Sequence, residues 1–124
     1  MIVNDTDERF AVGESTIPGA GRGLFARGPL AVGDRLKMTG VLVPAGSLAD
    51  QCTAYADEYK LRAGAHLLIP LGPGALVNHS ATPNLLKVVE GENVFLQVLR
   101  PVRAGEELLF AYSDYARQRW NIGD

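Results

Sequence analysis

The fold is decided by the stretch Asn78-His79-Ser80-Ala81-Thr82-Pro83-Asn84, a polar segment between two apolar ones. The run Gly74-Ala75-Leu76-Val77 precedes it, and apolar residues resume at Leu85. Polar groups in such a position must be hydrogen-bonded within the protein or to a ligand. Pro83 also stiffens the segment, because it fixes its own φ and makes the preceding residue extended. From this stretch alone an ordinary polar loop and a binding loop both remain open, whereas a glycosylation acceptor at Asn78 would require secretion, which nothing else indicates.

The composition limits the classes of protein that need to be considered. A chain of 124 residues with 47% hydrophobic residues is expected to form one domain with its own core. The formal charge is only −2, and the sequence contains no run of like charges. Both features argue against direct binding to nucleic acid. One cysteine, Cys52, and two histidines, His66 and His79, make a disulfide or a bound metal unexpected. No signal peptide or apolar run of ~18 residues is readable, so we expect a cytoplasmic protein without a membrane span.

A glycine-rich stretch lies near the N-terminus. Residues 9–16 are typical of a short strand, and Ile17-Pro18-Gly19-Ala20-Gly21-Arg22-Gly23-Leu24-Phe25-Ala26 follows. Its alternate glycines permit positive φ and close approach of another group, so it is either a backbone cradle for a ligand or a tight connection between strands. It is not the dinucleotide-binding fingerprint, because the third glycine comes too early and no crossover helix follows.

The remaining pattern is mainly β with one helix. Strands are predicted over residues 35–43, 66–71, 85–90, 93–99 and 106–112, with Gly91-Glu92 as a hairpin turn. Residues 48–63 show helical spacing, with Ser47 and Asp50 as a capping box and Gly64 at the C-terminal end. Tyr55 and Tyr59 would share the helix's apolar face, where core packing explains most tyrosines. His66 is expected to be structural.

Two turns have similar sequences. One is Pro29-Leu30-Ala31-Val32-Gly33-Asp34 and the other is Pro101-Val102-Arg103-Ala104-Gly105-Glu106. Each places a small-residue turn before a strand, and we interpret the likeness as recurring turn chemistry, with no duplication implied.

In their order along the chain, these signals resemble the SET-domain protein lysine methyltransferases. Gly21-Arg22-Gly23-Leu24-Phe25-Ala26 resembles the family's glycine loop, and Asn78-His79-Ser80 with Pro83-Asn84 resembles its middle motif. Gly105-Glu106-Glu107-Leu108 followed by Tyr112 matches the third motif in identity and spacing. The resemblance covers residues 10–115 and is closest to the small stand-alone, viral-type members.

The resemblance implies a fold and a domain layout. The family fold consists of several small β-sheets with a C-terminal pseudoknot, a β-clip-like arrangement in which the last segment passes beneath a loop and the last two motifs become neighbours. The chain would be a single domain over residues 1–124, with a core at about residues 10–115 and a tail at residues 116–124. The predicted helix, near Tyr59, would correspond to the insert helix of the small members.

The resemblance also implies a donor and a set of site residues. The family's donor is S-adenosylmethionine, and its methionine end would be held by the glycine loop, at the residues Gly21, Arg22, Gly23 and Leu24. Asn78 and the backbone at His79 would hold the amino and adenine groups. Tyr112 would be the catalytic tyrosine, and Tyr59 would line the lysine channel with it. Tyr115 or Trp120 would stack on the adenine or form a wall of the channel.

The implied chemistry needs no metal and leaves the partner open. A free lysine has a pKa near 10.4, so neutralising it at pH 7 costs roughly 4–5 kcal/mol. Desolvation in an aromatic channel and the nearby positive sulfur would lower that pKa. The expected partner is a protein or peptide bearing lysine, and a homodimer is plausible for so small a member. The alternatives are an inactive SET-like peptide-binding or assembly module and a small-molecule methyltransferase on the same fold.

Overall fold

The computed structural model describes residues 7–111, which form ten strands, one short α-helix and two 3₁₀ helices. The strands are β1 (Phe10–Glu14), β2 (Arg22–Ala26), β3 (Arg35–Lys37), β4 (Gly40–Pro44), β5 (Leu61–Ala63), β6 (His66–Pro70), β7 (Asn78–His79), β8 (Leu85–Glu90), β9 (Asn93–Val98) and β10 (Leu109–Phe110). The helices are α1 (Leu48–Cys52) and the 3₁₀ turns Ala54–Ala56 and Pro73–Leu76. The prediction of a mainly β fold with one helix is confirmed.

The strands form three small sheets. β1 and β2 make an antiparallel hairpin, and β4, β6 and β5 make a three-stranded sheet in that order. The five-stranded sheet has the order β3-β9-β8-β10-β7. Its β8–β9 hairpin turns at Gly91, where φ is 63°, a conformation that favours glycine.

The last described strand lies between two strands that precede it in the chain. β10 pairs in parallel with β7 on one side and with β8 on the other, and residues 80–84 connect those two neighbours. The C-terminal segment therefore fills a gap that this connection spans, which is the arrangement that the predicted pseudoknot requires. The buried side chain of Asn84 secures the connection, because its Oδ1 accepts from Leu109 N at 2.8 Å and its Nδ2 donates to Glu107 O at 2.8 Å.

The core lies where the sheets meet. Leu24 of β2, Leu96 of β9 and Leu108, just before β10, are almost completely buried in one apolar cluster. Fully burying such a side chain stabilises the fold by about 1.5–3 kcal/mol. Because Leu108 belongs to the third sequence motif, the core fixes the position of that motif relative to the N-terminal hairpin.

The predicted helix begins as expected, at Leu48 after the Ser47 cap, but the prediction that it extends to residue 63 was wrong. The α-helix ends at Cys52, and no residue of it is buried. Thr53 Oγ1 donates to the carbonyls of Ala49 and Asp50, a local bond that competes with continuation of the helix.

The tyrosines of this segment are also placed differently from the prediction. Tyr55 is 82% exposed and Tyr59 is 50% exposed, so the spacing that favoured a helix does not mark a buried face. The chain turns instead around Lys60, whose Nζ forms salt bridges with the carboxylates of Asp50 and Asp57. Gly64 does not end a helix but lies at the turn between β5 and β6, with φ at 62°.

Two predicted strands are shorter than expected. Residues 35–43 form two strands in two different sheets. Met38 is buried against β9, and Gly40 starts the second strand. A Cβ at Gly40 would overlap the backbone of Ile69. Of the described residues 106–111, Leu109–Phe110 form a strand, and Glu107 before them pairs with β2 instead. Residues from Arg22 onward form β2 and the earlier ones form a loop, so the glycine stretch connects two strands, and its role as a backbone cradle for a ligand stays a prediction.

The two similar turns lie side by side. Leu30 and Val102 form an antiparallel bridge in which each backbone N–H donates to the other's carbonyl, at 2.9 and 3.0 Å. The shared small-residue pattern therefore suits two turns that pair with each other.

Candidate functional site

The site is built around the carboxylate of Glu107, which is 5% exposed. The segment before β10 pairs with β2, because Leu108 N donates to Leu24 O at 2.8 Å. This pairing holds Glu107 beneath the loop that joins β1 to β2. Glu107 Oε1 accepts from the backbone N–H of Thr16 at 2.8 Å and from the Thr16 hydroxyl, and Oε2 accepts from Ser15 Oγ at 2.8 Å.

Asn78 joins the middle motif to the other two. Its Nδ2 donates to the carbonyl of Arg22 at 2.9 Å and to Glu107 Oε2 at 3.2 Å. Both amide hydrogens are therefore used within the protein. The amide oxygen accepts no hydrogen bond from the residues at 7–111, so it can accept one from a ligand.

Gly23 allows this close approach. A Cβ at this position would overlap Glu107 Oε2 and would lie 3.3 Å from Asn78 Nδ2. Gly23 has ordinary strand φ, whereas Gly19 and Gly21 have φ of 78° and 76°. The glycine stretch thus serves two needs: positive φ in the loop, and the absence of a side chain at Gly23.

The hydrogen bonds around Glu107 keep it ionised. Burial by itself raises the pKa of this carboxyl, but the bonds from Thr16, Ser15 and Asn78 outweigh burial and hold the pKa below its ordinary value. The group is a fixed negative charge at neutral pH.

An open cavity lies beside this cluster. It has a volume of ≈ 860 Å³ and is lined by residues 12–19 with Gly21 and Arg22, so both Ser15 and Thr16 separate Glu107 from the open space. The volume is within the range of small-molecule and cofactor sites.

The predicted site residues from the glycine and middle motifs meet in space. Gly21 and Arg22 line the cavity, Gly23 follows them in β2, and the Leu24 side chain points into the core, which leaves only its backbone for a ligand. His79 is buried in β7, at the edge of the five-stranded sheet. Ser80 N donates to Phe110 O, so the peptide groups of His79 itself face away from β10 in this parallel pairing.

Of the four predicted aromatic site residues, the structure describes Tyr59. Tyr59 follows the 3₁₀ helix, where its N–H donates to Ala56 O, and the Glu58 carboxylate raises the pKa of its hydroxyl. Tyr112, Tyr115 and Trp120 lie outside the described residues.

Sequence reasoning missed Ser15, Thr16 and the role of Glu107. Ser15 and Glu107 are 92 positions apart, and a short hydroxyl beside a strand carries no local signal for such a contact. The one available signal was the second acidic residue of Gly105-Glu106-Glu107-Leu108, because an acidic residue next to a core leucine needs hydrogen-bond donors.

Comparison with protein families decides the identity of the fold. The family model of the SET domain matches residues 21–113, which include all three motifs. The chain belongs to the SET-domain family. In this SET domain the glycine, Asn-His-Ser and Gly-Glu-Glu-Leu segments, which are distant in sequence, touch one another at Gly23, Asn78 and Glu107.

Solved structures resemble this SET domain at low sequence identity. A Chaetomium thermophilum Polycomb Repressive Complex 2 chain, in an autoinhibited conformation bound to S-adenosylmethionine, matches 94% of it with a TM-score of 0.73 and 20% identity. A humanized mutant of that complex, bound to the inhibitor GSK126, matches 85% with a TM-score of 0.70 and 21% identity. A Plasmodium falciparum protein, provisionally described as a histone methyltransferase, matches 88% with a TM-score of 0.65 and 20% identity.

The lengths of these proteins differ. The present SET domain covers 17% and 15% of the two Chaetomium chains and 96% of the Plasmodium chain. No curated protein sequence gives a significant match. In the part of the SET domain that the structure describes, no three His, Cys, Asp or Glu side chains are grouped as metal ligands. Residues 7–111 also contain no helix long and apolar enough to cross a bilayer.

Proposed function

We propose that this SET domain transfers the methyl group of S-adenosylmethionine to the side-chain amine of a lysine in a protein. The observation that carries the proposal is the contact of Gly23, Asn78 and Glu107, which joins the three family motifs beside an open cavity of ≈ 860 Å³. A contact of this kind is expected if the motifs hold one ligand together.

The residues present fit the proposed donor. Its methionine end carries an ammonium group, which needs hydrogen-bond acceptors, and Asn78 Oδ1, which accepts no hydrogen bond from residues 7–111, would supply one. Gly21, Arg22, Gly23 and Leu24 would contribute backbone groups, because Gly23 has no side chain to fill the space and Leu24 is turned into the core. The backbone at His79 would bind the adenine.

The aromatic residues would complete the site. We assign Tyr112 the catalytic position, because it comes two residues after β10 in the sequence, and β10 lies beside Asn78. Tyr59, which is half exposed, would line the lysine channel with Tyr112. Tyr115 or Trp120 would cover the adenine or form a wall of the channel.

The proposed reaction requires a neutral lysine, and the chain would promote it without a strong base. When bound, the donor supplies an activated methyl group and a positive charge. The aromatic residues would exclude water from the amine, which lowers the pKa of a lysine. The Tyr112 hydroxyl would orient the amine and the methyl group, and alignment of this kind is worth several kcal/mol.

The proposal is tested with the purified chain. Calorimetry with S-adenosylmethionine measures donor binding, and mass spectrometry after incubation with lysine-rich proteins or with free amino acids measures transfer. We expect donor binding and methylated lysine in the protein fraction alone. Donor binding without transfer would favour a binding or assembly module, transfer to free amino acids would favour a small-molecule methyltransferase, and no donor binding would refute the proposal.

A further inference from the structure

Glu107 is unusual among the charged groups of the described residues. It is the only buried acidic side chain in residues 7–111. Its hydrogen-bond donors are Ser15, Thr16 and Asn78, all of them neutral. The adjacent Glu106 differs, because its carboxylate is paired with Arg100 at 2.9 Å.

A buried carboxylate without a cation is costly, and its charge acts on its surroundings. Neutral donors stabilise a buried carboxylate, but they do not cancel its field, which is weakly screened away from water. Ser15 and Thr16 line the cavity and donate hydrogen bonds to Glu107, so the carboxylate lies directly behind two of the residues that line it. Arg22 and Glu14 are the charged residues that line the cavity, and both are exposed to solvent, which screens them more strongly.

The charge of the proposed donor changes in the reaction. As the S–CH₃ bond breaks, the bonding electron pair stays on sulfur and the methyl group bonds to the amine nitrogen. The donor thereby loses its sulfonium charge and becomes the neutral thioether S-adenosylhomocysteine, while the positive charge passes to the methylated amine. A negative charge beside the site attracts the donor more than the product.

We propose that Glu107 is a positioning residue whose fixed negative charge makes the site prefer the cationic donor over its neutral product. This inference rests on the proposed function. It predicts that Glu107 favours exchange of spent product for fresh donor, in addition to holding the β1–β2 loop through Ser15 and Thr16.

The test compares ligands that differ in charge at one position. Calorimetry would measure the Kd values of S-adenosylmethionine, of S-adenosylhomocysteine and of sinefungin, in which a protonated amine replaces the methylsulfonium. The proteins are the wild type, Glu107→Gln and the matched control Glu106→Gln. Glutamine keeps the size of the side chain and one acceptor oxygen but removes the charge.

We expect Glu107→Gln to reduce the preference for donor over product by about fivefold, on the order of the attraction between two unit charges in partly solvated surroundings. Sinefungin should lose affinity as S-adenosylmethionine does, and Glu106→Gln should keep the wild-type preference. Equal weakening of all three ligands in Glu107→Gln would overturn the charge role and leave a structural one. If the wild type binds none of the ligands, the proposed function itself fails, which is a distinguishable result.

A second pair of variants covers the case in which Glu107→Gln does not fold. Thr16→Lys would place an ammonium beside the Glu107 carboxylate, and Thr16→Met would remove the same hydroxyl without adding charge. Thr16→Lys should reduce the preference for the donor relative to Thr16→Met. Equal preference in the two variants would contradict the proposal.

Discussion

Gly23→Ala should destabilise the domain by about 2–4 kcal/mol, even though alanine is a small residue with acceptable strand φ. The new Cβ would overlap Glu107 Oε2. A free carboxylate would simply move away, but this one is held by Ser15, by Thr16 and by Asn78. Hydrogen bonds to charged groups are worth about 1.5–3 kcal/mol each, and the displacement would weaken at least one or two of them.

Denaturant unfolding of Gly23→Ala would measure this loss, and Gly28→Ala is the matched control. A Cβ at Gly28 has no atom within 4 Å, and its φ is not positive, so that substitution should change the unfolding free energy by less than about 1 kcal/mol. In an additional Glu107→Ala background, Gly23→Ala should cost less, because the overlapping group is gone. If Gly23→Ala were as stable as Gly28→Ala, the close contact between the glycine strand and Glu107 would be refuted.

Three further predictions concern the same cluster. Asn78→Ala should weaken donor binding by roughly 1–3 kcal/mol by calorimetry, and unchanged affinity in a folded variant would remove Asn78 from the site. Leu108→Ala should lower the unfolding free energy by about 2–5 kcal/mol, because the side chain is completely buried; a loss below about 1 kcal/mol would contradict its place in the core. The pKa of Glu107 is lowered on folding. The ionised carboxylate therefore adds to the free energy of unfolding above the pKa that the group has in the unfolded chain, and this stabilisation is lost as the pH falls through the pKa of the folded state. Unfolding between about pH 5 and pH 3 should therefore show a steeper loss of stability in the wild type than in Glu107→Gln, and equal slopes would contradict this reading.

Several of the strands and the meeting of the motifs were predictable from the sequence, whereas β5 and β7 were not predicted. Apolar runs mark β8 and β9, and Gly91 between them marks their turn. The proximity of Asn78 to Gly105-Glu106-Glu107-Leu108 followed from the family resemblance, and the position of β10 beside β7 confirms it. Nothing local in the sequence predicts that a C-terminal strand will enter between two earlier ones.

The helical segment and the polar network could not be predicted in the same way. The four- and three-residue spacing of Leu48, Cys52 and Tyr55 suits a helix face, but a helix of this kind persists only if another element covers that face, and none of α1 is buried. The network around Glu107 depends on Thr16, which is 91 positions away. Hydroxyl and amide groups are placed by tertiary contacts, so their partners become visible only in the folded structure.

The most direct test of the central claim is methyl transfer by wild type and by Tyr112→Phe. With saturating S-adenosylmethionine carrying a deuterated methyl group, mass spectrometry of a lysine-rich protein substrate would locate and count the methyl groups transferred. Phenylalanine keeps the ring and removes only the hydroxyl, so donor binding should stay within a few-fold of wild type. We expect transfer to lysine by the wild type and a rate at least ~100-fold lower in Tyr112→Phe, the usual effect of losing a preorganised group at a reacting centre. Absence of lysine methylation by the folded, donor-bound wild type, or equal rates for the two proteins, would contradict the account.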